Sequence, residues 1–213
     1  MKNLLTLVLL STLVAVSGCQ SAYYSAMEKV GVHKRDILVD RVEDVQGAQQ
    51  DAQQEFKSAL EQFQSVINFD GGELQAAYEA LDDKYQDSLK AANQVSNHIN
   101  QVEDVAEDLF DEWEDELNLY QNKKLKAQSA SKLRATKRQY DKLMRSMRQS
   151  ESKMQPFLSA LQDNVLYLKH NLNAHAIGAL KGELSSIQRD VKALVADIEL
   201  SIQESEKFIQ SLQ

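Results

Sequence analysis

Between Leu38 and Val66 the residues Leu38, Val42, Val45, Gln49, Ala52, Phe56, Ala59, Phe63 and Val66 follow one another at alternating steps of four and three. Only Gln49 among them is polar. A helix turns once in 3.6 residues, so this spacing stacks all of them into one stripe, whereas a strand would scatter them over both faces. A stripe of that length cannot stay in water and demands other helices to cover it.

The same signal returns three times. The second stripe is Leu74, Tyr78, Leu81, Tyr85, Ser88, Ala92, Val95, Ile99, Val102, Ala106, Leu109, Trp113, Glu116 and Tyr120. It is separated from the first by Asn68-Phe69-Asp70-Gly71-Gly72, a turn signal. So short a link predicts an antiparallel hairpin. The third stripe is Leu133, Thr136, Tyr140, Leu143, Met147, Ser150, Met154, Phe157, Leu161 and Leu168, one residue out of phase with the second. The slip falls within residues 121–131, and either a turn there or one long helix that changes face accounts for it. Pro156 lies inside the third stripe, yet the phase continues past it, which predicts a kink rather than a stop. The fourth stripe runs Ile177, Leu180, Leu184, Ile187, Val191, Leu194, Ile198, Ser201, Ser205, Phe208 and Leu212, after the polar run His170-Asn171-Leu172-Asn173-Ala174-His175.

The position following the second core site of each heptad is also apolar, as at Leu60, Ile67, Leu89, Phe110, Met144, Leu158, Val165, Val195 and Ile202. A two-stranded coil needs only two apolar sites per heptad, so the wider stripe points to a thicker assembly. One proline and seven glycines in 213 residues leave little to interrupt helices. The expected fold is all-α: an elongated antiparallel bundle, or coiled-coil hairpins, of three to four long helices after a signal peptide. Asp36 is a candidate N-cap of the first helix.

The N-terminus has its own pattern. Lys2 is followed by an apolar run that ends in Val16-Ser17-Gly18-Cys19. The run is too short for a bilayer-spanning helix of about 20 residues and matches a secretory signal. Val-Ser-Gly-Cys resembles the bacterial lipobox, in which the cysteine is acylated (palmitate among the chains) and the peptide is cut before it. Residues 1–18 are thus expected to be a lipoprotein signal peptide, 19–35 the lipidated Cys19 and a tether, and 36–213 the helical bundle. Gln20 stands where inner-membrane lipoproteins typically carry aspartate, so that resemblance implies the outer membrane, lipid-anchored and facing the periplasm. More than one acyl chain on one cysteine gives stable anchoring, where a single chain is marginal.

Charge is unevenly spread. The net charge is −8, and nine of the fourteen residues from Glu103 to Glu116 are acidic. Residues 123–153 carry eleven basic residues and two acidic ones. An acidic chain overall is unsuited to general nucleic-acid binding, and no nucleic-acid partner is expected. The basic segment 123–153 either meets a polyanion or lipid, or is answered by the acidic helices and by water. The second reading is favoured, because Arg134, Arg138, Lys142, Arg145 and Arg148 fall on outer heptad positions.

No catalytic constellation emerges. There is no GxxxxGK[ST], no GxSxG, no HExxH and no ExxH pair for a di-metal bundle. His170 and His175 are five apart, off the spacing that places two ligands on one helix face. Cys19 is the only cysteine, so thiol chemistry and disulfides drop out if it is lipidated. No enzymatic activity, cofactor or metal site is expected. Phe110 and Trp113 read as core.

Two blocks, residues 23–43 (YYSAMEKVGVHKRDILVDRVE) and 166–177 (LYLKHNLNAHAI), resemble an uncharacterised family of Gram-negative bacterial proteins, the domain of unknown function DUF2959. The resemblance implies no activity and no catalytic residue. It does single out His33, Lys34 and Arg35, together with Lys169, His170, Asn171 and Asn173, as candidate interaction residues. The expected role is a lipid-anchored structural spacer, adaptor or protein-interaction module of the cell envelope. Its partners are the membrane through Cys19 and an envelope protein, with homo-oligomerisation left open. The alternative is an envelope polyanion- or lipid-binding module using residues 123–153.

Overall fold

The computed structural model describes residues 33–69 and 74–212. The expected all-α bundle is what forms, with four helices among the described residues: α1 (Lys34–Ile67), α2 (Leu74–Glu116), α3 (Lys123–His170) and α4 (Ala174–Leu212). Helix α1 packs on α2, α2 on α3, α3 on α4, and α4 back on α1, which closes a ring of successive antiparallel neighbours. At 1.5 Å per residue, α1 is about 50 Å long and α3 about 70 Å.

The stripes are the core. Every member of the first, Leu38 to Val66, is buried, Gln49 included. Burying Phe56 against Phe157, edge to face with ring centroids 5.2 Å apart, joins α1 to α3 across the interior. The wider faces also pack: Ile67, Phe110, Met144, Leu158 and Val165 are buried, and Leu60, Leu89, Val195 and Ile202 lie against the core. This is a globular bundle rather than a narrow two-stranded seam.

Four local expectations are sharpened or corrected. The slip of phase between the second and third stripes is a turn: α2 ends at Glu116, and Asn122 caps α3 by accepting from the amides of Lys124 (2.9 Å) and Leu125 (3.2 Å). The second stripe therefore stops near Trp113, and its last two members, Glu116 and Tyr120, are exposed. Helix α1 starts two residues before Asp36; His33 is the N-cap, and Asp36 lies in the first turn where a carboxylate suits the helix dipole. Helix α3 runs through Pro156 without interruption. Pro156 and Ser152, whose carbonyl loses its donor, are both on the exposed face, so that carbonyl is not buried without a partner.

Candidate functional site

The antiparallel order puts four helix termini at each end of the bundle. At the end where α1 begins, the first turn of α1 meets the last turns of α2 and α4 and the third turn of α3. Lys34 Nζ bonds Glu112 Oε2 at 3.0 Å with its side chain only 11% exposed. The His33 carbonyl accepts from the amides of Asp36 and Ile37, and its ring is on the exposed surface. Arg35 and Asp36 pair loosely at 3.8 Å, both well solvated. Trp113 Nε1 donates to Ser129 Oγ at 2.8 Å, and Lys132 Nζ to the Ser211 carbonyl at 2.9 Å.

These groups surround a cavity of about 360 Å³ lined by His33, Arg35, Leu109, Glu112, Trp113 and Lys132, with Glu116 and Leu212 completing it. The lining mixes apolar Leu109, Trp113 and Leu212 with the acids Glu112 and Glu116 and the bases Arg35 and Lys132. Beyond the cavity, α3 overhangs. Trp113 bonds Ser129; α3 begins six residues before Ser129, whereas α2 ends three residues after Trp113, so the first turn of α3 reaches past the end of α2. Every residue from Asn118 to Gln128 is exposed. Leu119 is 75% exposed and Leu125 50%, with Tyr120 beside them.

The opposite end contains the turn from α3 to α4. Lys169 and His170 occupy the last turn of α3, where positive charge complements the helix dipole, and both are exposed. Asn171 Nδ2 donates to the Tyr167 carbonyl at 2.9 Å. Asn173 Oδ1 accepts from the amides of His175 (3.0 Å) and Ala176 (3.1 Å) and starts α4. Asn171 and Asn173 thus end one helix and begin the next, which is a sufficient reason for both amides. His170 and His175 are exposed, and no group of His, Cys, Asp or Glu able to hold a metal ion occurs among the described residues.

The candidate interaction residues therefore do not meet. His33, Lys34 and Arg35 lie at one end, and Lys169, His170, Asn171 and Asn173 at the other, separated by the length of α1, about 50 Å. Cys19 lies outside the described residues.

The basic segment divides. Lys137 Nζ bonds Glu114 Oε1 at 2.5 Å and sits 5.3 Å from the centre of the Phe110 ring. Arg148 bonds Glu103 and Glu151 and donates to Asn100 Oδ1 at 2.8 Å, so α3 is pinned to acidic α2 at two levels. Arg134, Arg138, Lys142 and Arg145 are exposed on the outer face.

The interior contains one polar layer that the stripe pattern displayed as lapses but did not connect. Gln49 Nε2 donates to Ser150 Oγ and to Ser201 Oγ, each at 2.9 Å, with all three residues fully buried. The Ser150 hydroxyl donates to the Met147 carbonyl at 2.8 Å, and Gln49 Oε1 has no hydrogen-bond partner. Both amide protons are spent inside the core, so the layer fixes the mutual register of α1, α3 and α4. The exposed apolar residues of the overhang were also missed. Their only sequence signal is that Leu119 and Leu125 fall outside every stripe.

Fold and site together define an antiparallel four-helix bundle whose buried polar groups serve packing and whose distinctive surfaces are its two ends. No helix among the described residues is long and apolar enough to cross a membrane. The family described as protein of unknown function (DUF2959) matches residues 23–212, and the chain belongs to it. No match was found among curated proteins or among solved structures.

Proposed function

We propose that this chain is a lipid-anchored, non-enzymatic spacer or adaptor of the bacterial cell envelope, held through acylated Cys19 at the periplasmic face of the outer membrane. The observation that carries the reading is Val16-Ser17-Gly18-Cys19, placed fourteen residues before the start of a rigid bundle at His33. One end of the rod then faces the membrane, and the other displays Leu166, Tyr167 and Leu172, all exposed, to an envelope partner about 70 Å away. Replacing Cys19 by Ala tests it. The wild-type chain is expected in the membrane fraction with a diacylglyceryl mass increment on Cys19, and the variant in the soluble periplasmic fraction. A variant that still fractionates with membrane sinks the lipoprotein reading.

A second reading, polyanion binding along residues 123–153, draws on the exposed outer row Arg134, Arg138, Lys142 and Arg145. Lys137 and Arg148 argue against using the whole segment, because both are engaged with α2.

A further inference from the structure

We infer that the overhang formed by residues 119–126 is a second membrane contact: a loop-and-helix tip that rests in the headgroup layer of an anionic bilayer and fixes the rod against the surface. The inference rests on the anchored reading above for its geometry, and on the tip itself for its chemistry.

The tip has the composition of an interfacial segment. Leu119, Tyr120 and Leu125 supply apolar and aromatic surface, and Lys123, Lys124 and Lys126 supply charge, within eight residues. All six side chains are exposed. Leu119 at 75% and Leu125 at 50% are, with Leu200, the most exposed large apolar side chains among the described residues, and Leu119 and Leu125 fall in one short segment beside Tyr120. The stripe of α3 begins only at Leu133, so Leu125 packs on nothing in the core.

Charge selects the occupant. The chain is acidic overall, yet no Asp or Glu occurs between Leu117 and Tyr140. The acids nearest the tip, Glu112, Glu114, Asp115 and Glu116, close α2 behind it. Glu112 is engaged by Lys34 and Glu114 by Lys137. The first turn of α3 reaches past the end of α2, so Lys123 and Lys124 stand ahead of those carboxylates. An anionic surface therefore attracts this tip while the acidic flank of α2 holds the remainder of that side away from it.

Position selects the same occupant. The tip is at the end where α1 begins, and Cys19 is fourteen residues upstream of His33, a reach of at most about 50 Å. An anchor that close raises the local concentration of bilayer to the millimolar range, so a contact too weak to hold a free protein suffices to orient a tethered one.

The test is amide hydrogen exchange on the purified full-length lipoprotein, reconstituted in phosphatidylethanolamine–phosphatidylglycerol vesicles, in phosphatidylcholine vesicles, and in detergent. Slowed exchange over residues 119–126 in the anionic vesicles alone supports the proposal. So does loss of that protection in K123Q/K124Q/K126Q, with vesicle partitioning weakened about fivefold per lysine. Equal exchange in all three settings overturns it. Protection that persists in detergent, with cross-links from Lys123 or Lys124 to residues 20–32, assigns the tip to the tether and overturns it. Protection that rises with protein concentration assigns it to a second copy, with the same consequence. The mass of Cys19 is read on the same sample. An unmodified cysteine refutes the anchor, and vesicle-dependent protection still reports on the tip. The substituted lysines are exposed and make no core contact, so unchanged thermal unfolding is the check that the fold is intact.

Discussion

Tyr140 lies on α3 between Phe110, 5.3 Å away, and Phe208, 6.2 Å away. Burial pushes its phenol up to about 12 from 10.0, and the neighbouring carboxylates of Glu103 and Asp141 add to the effect. The folded chain therefore keeps a proton that the unfolded chain has already lost between those values. Tyr140 contributes its full stabilisation below pH 10, and the contribution disappears as pH rises through 12. Urea unfolding of wild type and Tyr140→Phe across this range should show wild type losing about 2 kcal/mol more than the variant, after allowance for partial solvent screening. Parallel curves would mean that the ring is wetter than its neighbours imply. Gln49 is the second informative residue. Leucine has a similar volume and removes the unpartnered Oε1, while Ser150 keeps its bond to Met147. Gln49→Leu should stay within about 1 kcal/mol of wild type, whereas Gln49→Ala should cost about 2 kcal/mol or more by opening a cavity. If both cost the same, the hydrogen bonds and not the packing hold the layer together.

Among the elements, the helix starts are the places where single side chains have assigned work. Asn122 satisfies two amides that α3 would otherwise leave open. Asn122→Ala should lower stability by about 1 kcal/mol in chemical denaturation, with helicity lost first at the overhang. No measurable change would show that the first turns of α3 are already frayed. The long faces of the helices were legible in the sequence because burial on a bundle depends only on spacing. Val42, Ile99, Leu143 and Ile198 sit where a step of four or three puts them, and all are buried. The ends were less legible. The slip of phase between Tyr120 and Leu133 marked a break without saying whether the chain reversed, since periodicity is blind to direction. Asp36 looked like a cap by residue type, but the backbone of His33 already serves, and an exposed helix start tolerates a cap without a side-chain bond. Asn171 and Asn173 stood out as a block too polar for packing. What they do is stop and restart the chain, a role that spacing does not reveal.

For the whole molecule, the charge layout becomes intelligible once α2 and α3 are neighbours. The acidic run from Glu103 to Glu116 lies beside the basic stretch of α3 from Lys137 to Arg148, and Glu103–Arg148 and Glu114–Lys137 tie the two together. Exposed pairs of this kind add about 0–1 kcal/mol each, so they align helices that the apolar stripes already hold. Burial of Arg148 disfavours its charge, and the hydrogen bonds it donates to Glu151 and Glu103 outweigh that cost, leaving its pKa raised. The resulting rod has one consequence that a scattering experiment reads directly. Helices of 34 to 48 residues laid side by side give a body about 65 Å long and 24 Å across, with a radius of gyration of about 20 Å. A globule of the same chain would give about 16 Å. A single helix continuing from α2 through α3 would span about 150 Å and give more than 40 Å. Small-angle scattering of the mature chain carrying Cys19→Ala should return 20–24 Å, the residues before His33 adding the upper margin. A value above about 35 Å would mean that the chain does not reverse between Glu116 and Lys123. The two ends would then no longer be separate surfaces, and the division of the molecule into a membrane end and a partner end would fail with them.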